Sequence, residues 1–393
     1  MAKGRRRLNK VGKATLVGLT IVLIIIIVAL INLIIPNETS DGEQEALDFG
    51  IKETPISIFA VGDNLIHGPI YRQAKARTDG ATFDFSPAYE SIVPYLAGYD
   101  FKIINQETPL GGVELGLKSY PMFNSPQELG SYLTSIGFNV VSHANNHVLD
   151  AGTKGLGNTI NFWNTQTGVT MIGAYADATA ANQLQIMEKD GVKVAFLAYT
   201  YGTNGLSLPA ESPYVINYID QAKIQADIAK AEEFADITVV VIHWGNEYEG
   251  KANENQKALA QMMANCDADI IIGSHPHVIQ EVSTLPQTDG GKCLCYYSLG
   301  NFISAQDRKA TMLGGMAAIK LNYDANNDQI NFEKVEFIPI VNQYNDGFTN
   351  IHIVPLVNYT DEMAAQHGVS GLSKGYFQNL VYQTVNEKYI NIR

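Results

Sequence analysis

In the stretch ITVVVIHWGNEY, residues 237–248, six β-branched residues from Ile237 to Ile242 give way to a polar cluster that begins at His243. Branching at Cβ stiffens χ1 and suits a pleated strand. The run is too short for a helix and apolar at successive positions, so it reads as a strand buried on both faces. Five other stretches share this design: ISIFAVGDNLIH (56–67), YDFKIINQETPL (99–110), GFNVVSHANNH (137–147), ADIIIGSHPHV (268–278) and CLCYYSLGNF (293–302). Each places its chemistry-bearing residues where an apolar run stops.

Helical patterns lie between these runs. In QAKIQADIAKAEEFAD (221–236), Ile224, Ile228, Ala231 and Phe234 recur at helical spacing and predict a core-facing stripe. Leu259, Met262 and Met263 do the same in ENQKALAQMMAN (254–265). Buried strands alternating with helices predict an α/β protein, largely parallel at least in part. Ligands of such sheets gather beyond the carboxyl ends of the strands. Further on, MAAIKLNYD (316–324) and INFEKVEFIPI (330–340) read as paired strands turned by ANND, and GYFQNLVYQTVNEKYI (375–390) as a helical tail.

The amino terminus differs from everything after it. Lys3, Arg5, Arg6, Arg7, Lys10 and Lys13 form a basic flank (1–13) without acidic residues, followed by a charge-free apolar run over 14–35. Roughly 20 apolar residues cross a bilayer, and a basic flank stays cytoplasmic. The expectation is a single-pass anchor in the cell membrane, an acidic stalk over 36–50, and an extracytoplasmic remainder. Without the six basic residues, 21 Lys and Arg face 40 Asp and Glu, a net charge of −19. That excludes nucleic acid as a partner and requires a local positive source if the substrate is anionic. The three cysteines, Cys266, Cys293 and Cys295, are too few for a disulfide scaffold, although a bridge from Cys266 to one of the others stays open.

Eight histidines occur, and His67, His147, His243, His275 and His277 fall at predicted strand ends beside Asp63, Glu107 and Asn146. Carboxylate, imidazole and amide oxygen together suit divalent Zn, Mn or Fe. Two histidines flanking Pro276 in an extended stretch would present both rings on one side. Two neighbouring ions can clamp a phosphoryl or acyl oxygen.

As an ordered set over about 56–302, GDNLIH, NQETPL, ANNHVLDAG, HWGNEY, Gln256, IIGSHPHVIQ and YSLGNF resemble the CapA family of bacterial capsule-synthesis, or poly-γ-glutamate biosynthesis, proteins of the PgsA type. That family is similar to calcineurin-like metallophosphoesterases. The resemblance implies a four-layer α/β/β/α sandwich over 51–320, completed by strands and tail over 321–393, with a dinuclear site at the sheet ends. It places Asp63 and His277 on a first ion and Asn146, His243 and His275 on a second. Glu107 bridges the two, and His67 is a further candidate ligand. His147 becomes the catalytic acid or base, with Asp150 orienting its loop. Asn105, Asn145, Trp244, Glu247 and Asn301 are expected around the substrate or behind the ligands.

The chain departs from the phosphoesterase pattern in two ways. Asp63 and His67 stand four apart rather than two, and Glu107 replaces an aspartate. The implied function is membrane-anchored, metal-dependent hydrolysis or transfer in capsule polymer synthesis or export, alongside membrane synthase subunits. A phosphatase unconnected with polymer, and a non-catalytic polymer-binding subunit, are the alternatives.

Overall fold

The computed structural model describes residues 53–288 and 290–392. The expectations for the basic flank, the apolar run over 14–35 and the stalk lie outside the described residues. Among those residues no helix is long and apolar enough to cross a membrane.

The strands follow in chain order. The first eight are β1 (Glu53–Asn64), β2 (Phe101–Asn105), β3 (Val140–Ser142), β4 (Thr170–Ile172), β5 (Ala174–Tyr175), β6 (Gln185–Lys189), β7 (Val192–Thr200) and β8 (Val215–Ile216). Then come β9 (Ile237–His243), β10 (Ile270–Ser274), β11 (Val282–Pro286), β12 (Lys292–Tyr296), β13 (Asn301–Ile303), β14 (Leu313–Asp324), β15 (Gln329–Asn345) and β16 (Thr349–Pro355). One sheet has the order β16-β15-β14-β1-β2-β3-β4, with β13 also paired to β1; the second has the order β11-β12-β10-β9-β7-β6. The pair β5-β8 stands apart.

Strands β1 to β4 are mutually parallel, as are β7, β9, β10 and β12. Antiparallel neighbours, β14 on one sheet and β6 and β11 on the other, flank these parallel sets. The hairpin predicted around 325–328 forms, with Asp324 opposite Gln329. Position 320 falls inside β14, so the chain crosses it without a break.

Alternation along the strands builds the layers. Val239 and Val241 of β9, Ile270 and Ile272 of β10, and Leu294 and Tyr296 of β12 join a core shared with Ile58 and Ile103 of the other sheet. The rings of Phe101 and Phe196 meet across it, with centroids 5.5 Å apart. The intervening residues, Val240, Ile242, Ile271, Cys293 and Cys295, face a separate core with Ile224, Ile228, Leu259 and Met263. Those four belong to the helices Gln221–Phe234 and Glu254–Asn265. Cys293 and Cys295 therefore share a face, and all three thiols are free.

Both helices start on side-chain caps. Asp220 accepts from the Lys223 amide, and Asn253 forms a capping box with Gln256. Phe234 departs from the expected stripe and is 48% exposed, because the helix ends there and Ala235 turns inward instead. The predicted tail contains the helix Lys374–Thr384, which buries Phe377 and Val381 in the main core.

Candidate metal centre

The carboxyl ends of both parallel sets converge on one place. Asp63 lies within β1, Glu107 two residues past β2, and Asn146 four past β3. His243 ends β9, and His275 and His277 follow β10. Close backbone packing permits this at Gly62, where a Cβ would run into the Gly300 carbonyl, while Asp63 N–H donates to that same carbonyl at 2.9 Å. Gly62 and Asp63 are thus strand residues, near the end of β1.

All six of these side chains are buried. Asp63, Glu107 and His243 present ligand atoms within 4.8 Å of one another, and so do Glu107, His275 and His277. Glu107 is common to both sets, with Oε1 at 3.7 Å from His243 Nε2 and 3.8 Å from His277 Nε2. These groupings join Asp63 with His243 and His275 with His277, across the expected division, whereas His277 Nδ1 at 3.2 Å from Asp63 Oδ2 is the pairing expected on one ion. Asn146 Oδ1 lies 3.0 Å from His243 Nε2.

Both Glu107 oxygens, Asn105 Oδ1 and His275 Nδ1 are buried without a hydrogen-bond partner. Leaving a buried carboxylate unpaired costs several kcal/mol, on the order of 2–7 even for a neutral polar group. A cation at the convergence of these atoms removes that penalty, so the residues present fit a divalent ion. Burial and the neighbouring Asp63 charge push the Glu107 pKa well up in the bare site. Burial pulls His277 down, but the charges of Glu107 and Asp63 outweigh it and carry it to about 9. Burial, then His277, lowers His275 to about 3, and burial with His275 lowers His243. Neutral imidazoles are the form that ligates.

A second layer orients the first. Asn105 Nδ2 donates to Asp63 Oδ1 at 2.8 Å, and His243 Nδ1 lies 2.9 Å from Ser274 Oγ. Asn301 Oδ1 stands 3.0 Å from His277 Nδ1. Such outer partners fix ring orientation and tautomer in metal sites. Asn301 opens β13 rather than following a strand, because the chain passes from the second sheet to the first between Tyr296 and Asn301.

The backbone between the two histidines differs from the extended stretch expected. His275 has φ 98° and His277 φ 59°, sparsely populated values for non-glycine residues. The rings are nonetheless 6.0 Å apart and both face Glu107. Strained backbone of this kind persists where surrounding structure over-determines it, often at functional sites.

His147 stands at the edge of the cluster. Its Nδ1 is 2.7 Å from Asp150 Oδ2, which also accepts from the Phe123 amide at 2.8 Å. Asn145 fastens the turn, accepting from His147 N–H and donating to the Gln106 carbonyl. Three expected residues fall outside the cluster. His67 joins neither set of ligand atoms; its Nδ1 lies 3.1 Å from the Leu65 carbonyl and its ring packs on Phe123. Trp244 turns into the helix-side core and donates to the Tyr297 carbonyl, and Glu247 is exposed at the rim.

Sequence reading missed Tyr201 and Asn204. Tyr201 follows β7 and lays its ring 4.4 Å from that of His275 and 6.2 Å from that of His243. Asn204 Oδ1 accepts from Asn146 Nδ2 at 3.2 Å. The missed signal was that AFLAYTYGTN (195–204) is a seventh apolar run ending in polar residues. Gln256, noted within the motif set, is structural. Beyond the capping box it bonds Gln280, which holds the Glu249 carbonyl.

The profile of the family described as "Bacterial capsule synthesis protein PGA_cap" matches residues 57–306. The "PGA biosynthesis protein CapA" of Bacillus subtilis is 34% identical over 176 residues, 44% of this chain and 44% of that protein. The "Capsule biosynthesis protein CapA" of Bacillus anthracis is 31% identical over 229 residues, 56% of this chain and 54% of that protein. The chain thus matches about half the length of these curated relatives. Among solved structures, a phosphatase of Mycoplasma pneumoniae aligns at 14% identity and TM-score 0.46, over 74% of this chain and 94% of that one. A 5'-nucleotidase precursor of Thermus thermophilus aligns at 10% and 0.42, over 84% and 58%. With its profile match running from β1 through the loop that carries His275 and His277 to Asn301, the chain belongs to the bacterial capsule synthesis protein family PGA_cap.

Proposed function

We propose that this protein is a metal-dependent hydrolase or transferase of metallophosphoesterase type that acts on poly-γ-glutamate during capsule synthesis or export. We place it on the outer face of the cell membrane, anchored by the apolar run over 14–35 and working beside membrane synthase subunits. The observation that carries the reading is Glu107, buried and without hydrogen-bond partners, shared by two sets of ligand atoms at the sheet ends. A subunit that only bound polymer would gain nothing from this arrangement.

In this reading Asp63, Glu107, Asn146, His243, His275 and His277 hold divalent ions, Mn, Zn or Fe, two when fully loaded. Bound ions supply Lewis-acid polarisation of the substrate's acyl or phosphoryl oxygen. The chain's own residues do the rest. Asn105, Ser274 and Asn301 keep the ligating groups in orientation. Tyr201 walls off the His243 and His275 rings from water. Asp150 Oδ2 holds the Nδ1 side of the His147 ring at 2.7 Å, which leaves Nε2 of that ring to hold or deliver a proton.

The test is element analysis of the purified protein together with a turnover panel of poly-γ-glutamate and phosphomonoesters. Bound metal with cleavage or transfer of the polymer is the expected result. Turnover of phosphomonoesters alone would favour a phosphatase unconnected with capsule, and metal-free protein that binds polymer would overturn the enzymatic reading.

A further inference from the structure

Two loops that leave the centre's own strands meet above it. The first follows His243 and carries Tyr248; the second follows Asn301 and carries Arg308. The Tyr248 ring lies 6.2 Å from that of His277, and the Arg308 guanidinium sits 3.8 Å above the centroid of the Tyr248 ring. Tyr248 is 36% exposed, so this stack stands at the solvent side of the centre.

The geometry is held in place at a cost. Tyr248 has φ 68°, unfavourable for an aromatic residue, and its amide donates to the Pro276 carbonyl between the two histidines at 2.8 Å. Gln280 grips the Glu249 carbonyl and Glu281 accepts from the Ala252 amide, so the loop is tied down again just after the bend. Strain that the surroundings maintain beside a reactive centre points toward use.

Arg308 is unusual in its surroundings. Among the described residues its guanidinium makes no ion pair or side-chain hydrogen bond, although Glu247 and Asp307 are close in sequence to the two loops. Stacking on the ring fixes the plane of the guanidinium and leaves its N–H edge open. That edge matches the two oxygens of a carboxylate or a phosphate. In a chain of formal net charge −13, with Asp63 and Glu107 buried below, an anion needs such a local cation.

We propose that Arg308, shelved on Tyr248, binds a second anionic group of the substrate, one repeat along from the group held at the metal centre. The pair then selects extended polyanions over isolated monoanions. This deepens the reading above and rests on it for the identity of the polyanion, poly-γ-glutamate.

The experiment measures binding to metal-loaded protein by titration calorimetry, with two polyanion probes, a poly-γ-glutamate oligomer of defined length and inorganic tripolyphosphate, and inorganic phosphate as the single-group control. Variants Arg308→Ala and Tyr248→Leu are compared with wild type, with metal content checked in each. The expected result is a loss of affinity of about ten-fold or more for the polyanion in both variants, with metal content unchanged and inorganic phosphate binding within about two-fold of wild type. Unchanged polyanion affinity in Arg308→Ala overturns the clamp, as does a wild type that binds neither probe. A wild type that binds only tripolyphosphate, and loses it in Arg308→Ala, supports the clamp and overturns the choice of poly-γ-glutamate.

Discussion

Nδ1 of His147 lies 2.7 Å from Oδ2 of Asp150, three residues on in the same turn, with both side chains buried. The carboxylate can only accept, so the pair sets the tautomer of the ring and aims Nε2 away from Asp150. His147→Ala is expected to keep its metal and fold while losing about 10²–10⁴-fold in turnover, the usual contribution of a positioned acid or base. Asp150→Asn should lose turnover too while keeping its metal. Steady-state kinetics with element analysis checks both, and a metal-free His147→Ala protein would make His147 a ligand instead.

Glu107 is the one residue common to both sets of ligand atoms. Glu107→Gln preserves shape and removes the charge. It should abolish binding at every position of the centre, whereas Ser274→Ala should lower affinity only about 10–100-fold through the His243 ring it supports. Metal titration of the two variants distinguishes them. Wild-type stoichiometry in Glu107→Gln would place the metal site elsewhere.

Gly62 allows the backbone of β1 to touch the crossing segment at Gly300. Gly62→Ala must push these backbones apart, at a cost of about 1–3 kcal/mol by analogy with overpacked cores. Thermal unfolding should show a lowered midpoint and the same variant should bind metal more weakly. An unchanged midpoint would mean that the two segments separate freely.

His143, fully buried next to the centre's loop, accepts the Trp163 indole N–H at Nε2 over 2.7 Å, and burial lowers its pKa from 6.5 to about 3. Its folded value lies below the unfolded one, so its neutral form contributes fully above pH 6.5. That contribution is lost as pH falls from 6.5 toward 3, at up to about 1.4 kcal/mol per pH unit. Metal-free His143→Gln, which keeps an acceptor for Trp163, should show a flatter decline in unfolding free energy between pH 6.5 and 4.5 than wild type. Parallel curves would show that His143 does not govern the acid limb.

The apolar run over 14–35 behind six basic residues places the remainder outside the cell in our reading. Protease added to intact cells should remove the part after Pro36. Full protection of that part would reverse the orientation, and a mature chain beginning near Asn37 would remove the anchor.

The strands that carry the centre were legible in the sequence because burial on both faces leaves a local mark, an unbroken β-branched run such as Ile237–Ile242. Polar residues at the ends of such runs were legible for the same reason. The sequence alone also determined the family, since motif order along the chain needs no coordinates. What the tertiary structure decided is which ends meet. Only the stacking of two sheets brings Glu107 to His243 and His277, and no local pattern encodes a contact across more than a hundred residues. The same holds for the strained φ of His275 and His277, which neighbouring backbone imposes against local preference. Trp244 shows the limit from the other side. It follows His243 directly, yet its indole is drawn into the helix-side core, because burying a large ring outweighs its place in the motif. Tyr201 and Arg308 come to the centre from loops whose paths depend on packing, and packing is a property of the whole fold.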